Sequence, residues 1–174
     1  MKELISEQQV QARVAEMAHD INAQYAGKPL TIIGIMTGSI ILLSDLIRQL
    51  TMPLRVGVVQ ASSYRGETER GELVINASLM PDIRQRDVLL VDDIYDTGHT
   101  LNEVIARMLE LSPTSVRSAV LLRKQGRQEV ALQPDHVCFD IPDEFVVGYG
   151  LDYQDEYRNL PFVATLEPHD IHGN

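Results

Sequence analysis

The run from Val88 to Thr100, Val-Leu-Leu-Val-Asp-Asp-Ile-Tyr-Asp-Thr-Gly-His-Thr, constrains the fold more than any other part of this chain. Val88 to Val91 read as a buried strand of a parallel-type sheet. The strand ends in two adjacent carboxylates, Asp92 and Asp93, and a third, Asp96, opens a tight Asp96-Thr97-Gly98-x-Thr100 turn. A helical pattern follows from about Thr100 to Leu111. Open α/β sheets bind ligands in the crevice outside the carboxyl ends of their strands. A turn entering a helix offers main-chain N–H groups to an anion. Three acids crowded at such a point repel one another unless hydroxyls, a metal ion or a mobile proton engage them. The segment therefore implies a phosphorylated sugar ligand.

The remaining chain supplies the layers around that strand. Ser6-x-x-Gln9 predicts a capping box, and Val10, Val14, Met17, Ile21 and Tyr25 recur at helical spacing, ended by Gly27 and Pro29. Leu30 to Met36 reads as a strand, Thr37-Gly38-Ser39 as a turn, and the segment to about Leu50 as a helix. Strands are predicted over Leu54 to Ala61, Leu73 to Leu79, Asp87 to Asp92 and Ser115 to Leu122. The polar, glycine-flanked stretch from Ser62 to Glu72 reads as a long loop, a common form for a lid. Arg123 to Gln128 reads as a basic loop, and short strands and aromatic turns follow from Pro134. Strand, turn and helix in alternation imply a mostly parallel sheet with helices on both faces. Neither G-x-G-x-x-G nor G-x-x-x-x-G-K-[ST] occurs, so the common dinucleotide and P-loop cradles are absent.

Composition bounds the partners. The 174 residues suit one domain over residues 1–174 with a sizeable core. A net charge of −10 argues against a nucleic-acid scaffold. An acidic chain that handles a phosphorylated ligand needs local N–H groups, a few placed cations and Mg²⁺. The single cysteine, Cys138, excludes an intramolecular disulfide framework and fits a reducing compartment. No signal-peptide pattern opens the sequence, and its longest apolar run, around Ile40 to Leu43, stops at Ser44 and Asp45. A cytoplasmic protein without membrane contact is expected. His169-x-x-His172 reads as part of a flexible tail rather than a metal site.

Val91-Asp92-Asp93-Ile94-Tyr95-Asp96-Thr97-Gly98-His99-Thr100 resembles the phosphoribosyl-pyrophosphate (PRPP) motif of type I phosphoribosyltransferases. The carboxylate at Asp96 is similar to the hypoxanthine-guanine branch of that family. Three further segments carry the same resemblance: Ser63-Tyr64 of a mobile loop, Leu121-Leu122-Arg123-Lys124 at a strand end, and Ile141 to Tyr153 followed by Tyr157-Arg158. The resemblance implies a type I phosphoribosyltransferase fold: α/β, with a mostly parallel central sheet, helices on both faces and a small C-terminal hood. It also implies a mobile loop over about 62–72 and a base-binding segment over about 134–160. One position departs from the family. Thr37, before Gly38, stands where a basic residue is usual, which leaves the family's cis peptide at this loop open.

The implied reaction joins a 6-oxopurine to PRPP, giving a nucleoside 5′-monophosphate and pyrophosphate. The resemblance gives Asp96 the proton near purine N7, although alone it also reads as a turn-initiating residue capping its own backbone. Like-charge crowding by Asp92 and Asp93 would disfavour its ionised form, with Mg²⁺ and N–H dipoles opposing. Asp92 and Asp93 would meet the ribose hydroxyls directly or through Mg²⁺, and Asp152 would hold Mg²⁺ on the pyrophosphate side. Thr97, Gly98, His99 and Thr100 would cradle the 5′-phosphate mainly through main-chain N–H groups, with the His99 ring toward solvent. Thr100-x-x-Glu103 also reads as a capping box. Thr37, Gly38 and Arg158 would bind pyrophosphate. Lys124 would donate to the purine 6-oxo group, Phe145 would stack on the base and Val146 would offer main-chain groups to its edge; Phe145 as plain core is the rival. Two other readings fit the motif: a PRPP-sensing regulator, and a phosphoribosyltransferase for another base such as xanthine or uracil. Asp96, Lys124 and Phe145 favour the purine enzyme, as a homodimer or homotetramer.

Overall fold

In the computed structural model, which describes residues 1–63, 73–167 and 170, the elements follow one another as β1 (Lys2–Ile5), α1 (Glu7–Tyr25), β2 (Leu30–Met36), α2 (Ile40–Ile47), β3 (Leu54–Ser63), β4 (Leu73–Asn76), β5 (Asp87–Tyr95), α3 (His99–Leu109), β6 (Ser115–Lys124), β7 (His136–Ile141), β8 (Val146–Val147) and β9 (Val163–Thr165). The larger sheet runs β4-β3-β2-β5-β6-β7, with β4 antiparallel to β3 and every other neighbour parallel. From β2 the chain steps outward to β3 and later returns to β5 on β2's other side. The strand order therefore reverses between β2 and β5, and a crevice opens at their carboxyl ends.

Side-chain alternation sorts the core into two layers. Leu30, Ile32, Leu89, Val91 and Leu121 face α1 and α2, while Ile33, Ile35, Val88, Leu90 and Val120 face Leu101, Val104 and Met108 of α3. Each such fully buried side chain contributes about 1.5–3 kcal/mol. Helix α1 forms as its sequence predicts. The Ser6 hydroxyl accepts the Gln9 N–H, the Gln9 side chain accepts the Ser6 N–H, and Val10, Val14, Met17, Ile21 and Tyr25 are buried.

Several boundaries differ from expectation. Strand β4 ends at Asn76, because the Asn76 side chain turns back to accept the Ser78 N–H at 3.0 Å. Helix α2 stops at Ile47, where Gln49 N–H bonds to the Leu46 carbonyl three residues back. Strand β5 continues through Asp92 and Asp93 to Tyr95, and β6 reaches Lys124, so Arg123 and Lys124 lie on a strand rather than in a loop. The smaller sheet, β1-β9-β8, is antiparallel and takes β1 from the N-terminus. The hood is thus closed by both chain ends, where the sequence assigned it to the C-terminal part alone. The expected tail His169 and His172, and Tyr64 with the rest of 64–72, lie outside the described residues.

Candidate active site

The crevice between β2 and β5 holds a cavity of about 270 Å³. It is lined by Met36 at the end of β2 and Gly38 beyond it, and by Asp92, Asp93, Asp96, Thr97, Gly98 and Thr100 along β5 and the turn beyond it. Both strand-end carboxylates line it, although consecutive strand residues ordinarily point to opposite faces. The backbone at this point bends its N–H groups onto the acids themselves. Asp93 N–H donates to Asp92 Oδ1 at 3.0 Å, and Ile94 N–H donates to Asp93 Oδ1 at 2.8 Å. Burial raises the Asp92 pKa well above 3.8, and the neighbouring Asp93 charge raises it further. Burial raises Asp93 as well, against the opposing hydrogen bonds from Asp92 and the Ile94 N–H.

Gly38 fits against this pair because it has no side chain. A Cβ there would lie 1.7 Å from Asp93 Oδ2, so only glycine lets the first loop approach the acid so closely. The Met36–Thr37 peptide is cis, so the loop takes that form with threonine in place of a basic residue. Thr37 itself is exposed.

The turn after β5 is tied to the loop that follows β6. Gly98, at φ 89°, caps α3, and a Cβ on it would meet Val130 at 2.5 Å and the Tyr95 hydroxyl at 2.6 Å. Asn102 N–H bonds to the Gly98 carbonyl at 3.0 Å, so α3 starts at His99. Thr100 therefore lies inside the first turn, and its predicted role as the start of a capping box is excluded. Its exposed side chain lines the cavity instead. Glu129 N–H donates to the Thr97 carbonyl at 3.0 Å, and the Tyr95 hydroxyl donates to the Leu132 carbonyl. His99 turns away from the cavity, with Nε2 2.8 Å from Glu129 Oε2.

Asp96 stands among cations rather than against the other acids, contrary to the sequence reading. Arg127 Nε donates to Asp96 Oδ1 at 3.0 Å, and Lys124 Nζ lies 3.6 Å from Asp96 Oδ2. Lys124 also donates to Asp143 Oδ1 at 3.2 Å, and Arg127 Nε lies 3.6 Å from Asp143 Oδ2. These four side chains form an alternating ring between β5, the end of β6 and the approach to the hood. Arg127 and Asp143 were assigned no role from the sequence. Their neighbours Lys124 and Phe145 are the only local hint, because the ring exists only once β6 is seen beside β5.

The hood meets the first loop, where a Cβ on Gly150 would lie 2.1 Å from the Gly38 carbonyl oxygen. Phe145 is 55% exposed, which removes its reading as plain core, and its ring meets Tyr153 edge-on at 5.7 Å between centroids. Val146 is buried in β8, paired with Thr165. Arg158 donates to the Gly150 carbonyl at 2.7 Å and pairs with Asp152 at 2.8 Å, with Asp155 farther off at 3.6 Å. The Asp155 N–H caps the other Asp152 oxygen at 2.9 Å. Asp152 does not converge with Asp92 and Asp93, and among the described residues no three acidic, histidine or cysteine side chains gather as a metal group. Among the described residues, buried Asp92 and half-buried Asp93 offer an oxygen-only donor pair that suits a hard dication completed by substrate oxygens. No helix among the described residues is long and apolar enough to cross a membrane.

The fold, with its crevice at the β2–β5 reversal, is that of the phosphoribosyltransferases, and comparison with known proteins agrees. A phosphoribosyl transferase domain model matches residues 1–154. The hypoxanthine-guanine phosphoribosyltransferase of Staphylococcus aureus strain Mu50 is 38% identical over 172 residues, covering 98% of this chain and 96% of the relative. That of Staphylococcus epidermidis is 39% identical over 165 residues, covering 94% of this chain and 92% of the relative. Among solved structures, a hypoxanthine phosphoribosyltransferase from Staphylococcus aureus superposes with a TM-score of 0.92 at 37% identity, covering 99% of this chain and 94% of that one. One from Trypanosoma cruzi, solved as a ternary complex with substrates, gives 0.91 at 35% identity, covering 98% and 97%. The chain belongs to the phosphoribosyltransferase family, among its hypoxanthine-guanine members.

Proposed function

We propose that this protein is a purine-salvage enzyme that transfers the 5-phosphoribosyl group of PRPP to N9 of hypoxanthine or guanine. The observation that carries the proposal is the cavity at the β2–β5 reversal, which joins an acidic strand end, a glycine-capped helix start and Asp96, whose Oδ2 lies 3.6 Å from the Lys124 ammonium. Bond formation from purine N9 to ribose C1′ accompanies cleavage of C1′ from the pyrophosphate oxygen. Positive charge at the ribose, negative charge on the leaving group and one purine proton must all be managed.

Asp92 and Asp93 suit the ribose hydroxyls, and the main-chain N–H groups from Thr97 to Thr100 suit the 5′-phosphate. Asp96 accepts the proton at purine N7, with Lys124 beside it to donate to the 6-oxo group. A site built to pair a polar substituent rejects the purine that lacks it, which favours 6-oxopurines over adenine. Phe145 presents an exposed ring to the base, and Val146 its main chain. Gly38, Thr37 and Arg158 serve the pyrophosphate end. Asp92 and Asp93 would hold a Mg²⁺, with Asp152 on the pyrophosphate side; when bound, the ion supplies charge neutralisation for the departing pyrophosphate. Ser63 ends β3, and the segment that follows it from Tyr64 would shield the reacting centre from water. Residues 1–174 act as one domain, in the cytoplasm, as a homodimer or homotetramer.

An absorbance assay of hypoxanthine, guanine, xanthine, adenine and uracil, each with PRPP and Mg²⁺, tests the reading. Turnover of a 6-oxopurine is expected, and its absence would refute it. Asp96→Asn should lower kcat by about 10²-fold or more while the PRPP KM changes little.

A further inference from the structure

We infer that Arg127 is a positioning residue, which fixes the Asp96 carboxylate so that one defined oxygen faces the purine. The inference rests on the assignment of Asp96 as the proton acceptor and adds what holds that acceptor in place. Asp96 is partly exposed, with 36% of its side chain accessible, so packing alone does not lock its rotamer. Its hydrogen bond from Arg127 Nε at 3.0 Å goes to Oδ1. Oδ2, by contrast, is 3.6 Å from the Lys124 ammonium, beyond hydrogen-bond length. Arg127 thus clamps one oxygen and leaves the carboxylate plane set, with the other directed toward Lys124, where the 6-oxopurine edge is proposed to lie.

Without the clamp, Lys124 is the cation left paired with Asp96 among the described residues. Rotation then brings Oδ2 onto the ammonium, and the base and the 6-oxo donor bind each other instead of the purine. Asp143 limits the same collapse from the opposite side, since it accepts from Lys124 at 3.2 Å. The loop that carries Arg127 is itself anchored to the phosphate turn through Glu129 N–H and the Thr97 carbonyl, 3.0 Å apart. Arg127, phosphate turn and Asp96 therefore keep a fixed relation. Arg127 does not line the cavity, so its effect is exerted through Asp96 and not on PRPP.

Steady-state kinetics of Arg127→Ala, Arg127→Gln, Asp96→Asn and the Arg127→Ala/Asp96→Asn pair test this. Glutamine is the informative variant, because its side-chain nitrogen is as many bonds from Cα as Arg Nε and keeps an N–H there without the charge. Arg127→Ala should lower kcat about tenfold with the PRPP KM within about twofold, since a misplaced catalytic group costs rate. Arg127→Gln should stay within about threefold of the parent kcat, the hydrogen bond being retained. In the Asp96→Asn background, Arg127→Ala should cost nothing further. A raised PRPP KM at unchanged kcat would make Arg127 a substrate ligand and overturn the inference. Equal loss in the alanine and glutamine variants, or full additivity with Asp96→Asn, would overturn it too. If Asp96→Asn itself leaves kcat intact, the assignment of Asp96 fails; if only the Arg127 variants are silent, that assignment stands and the positioning role falls.

Discussion

Replacing Gly38 by alanine tests the contact that joins the two halves of the cavity. The new methyl group would stand 1.7 Å from Asp93 Oδ2 and 2.4 Å from Asp93 Cγ, where carbon atoms do not approach within about 3 Å of a neighbour. The carboxylate must therefore retreat by more than 1 Å, or the first loop must lift by a similar amount. Retreat breaks the 2.8 Å bond from Ile94 N–H, leaving a part-buried donor unsatisfied. Such a loss costs about 1–3 kcal/mol. In a chain of this size each kcal/mol lowers the melting temperature by about 2–4 °C, so a fall of about 2–12 °C is expected. Lifting the loop instead misplaces the pyrophosphate contacts, for which a displacement near 1 Å costs about 10²-fold in rate. Calorimetry and the PRPP dependence of turnover read the two outcomes separately. In an Asp93→Ala background, where the clashing oxygens are gone, Gly38→Ala should add no further loss. An alanine variant with the parent melting temperature and kcat/KM, or one whose loss persists without Asp93, would refute the argument.

Other outcomes follow from burial and exposure at the same site. Folding raises the Asp92 and Asp93 pKa values by burial, so the native state binds more protons than the unfolded one above pH 3.8. Stability of the metal-free protein should then be full below that value and decline as pH rises through the raised native pKa, by at most about 1.4 kcal/mol per pH unit per proton. Asp92→Asn should flatten this decline and raise the melting temperature at neutral pH; a melting temperature independent of pH from 4 to 8 would contradict it. Phe145→Ala should cost less than about 1.5 kcal/mol, because the ring is 55% exposed and loses chiefly its edge contact with Tyr153. Its purine KM should nevertheless rise, which initial-rate measurements would detect. Chelation of Mg²⁺ should abolish turnover and lower the melting temperature at neutral pH, where the adjacent Asp92 and Asp93 carboxylates lose the ion's positive charge; unaltered turnover in excess chelator would remove the metal from the proposal.

Local chemistry made much of this protein legible in its sequence. Helix α1 could be read from a capping box and five apolar positions, because helix periodicity and the N-cap hydrogen bonds are short-range properties. The run from Val88 to Thr100 determined a buried strand, its acidic end and a phosphate-type turn, since these arise within consecutive residues. Tertiary structure decided what those groups meet. Sequence spacing set Asp96 beside Asp92 and Asp93, yet it is Lys124 and Arg127, across from β5 on and after β6, that surround it. The first turn of α3 likewise starts one residue early, because the Asn102 N–H bonds back to the Gly98 carbonyl. Phe145 could have been core or ring platform by composition, and only the hood's packing leaves it exposed. The division has one physical cause: hydrogen-bond periodicity is written along the chain, whereas electrostatic partnership depends on which strands lie side by side, and that is settled by burial of the whole sheet.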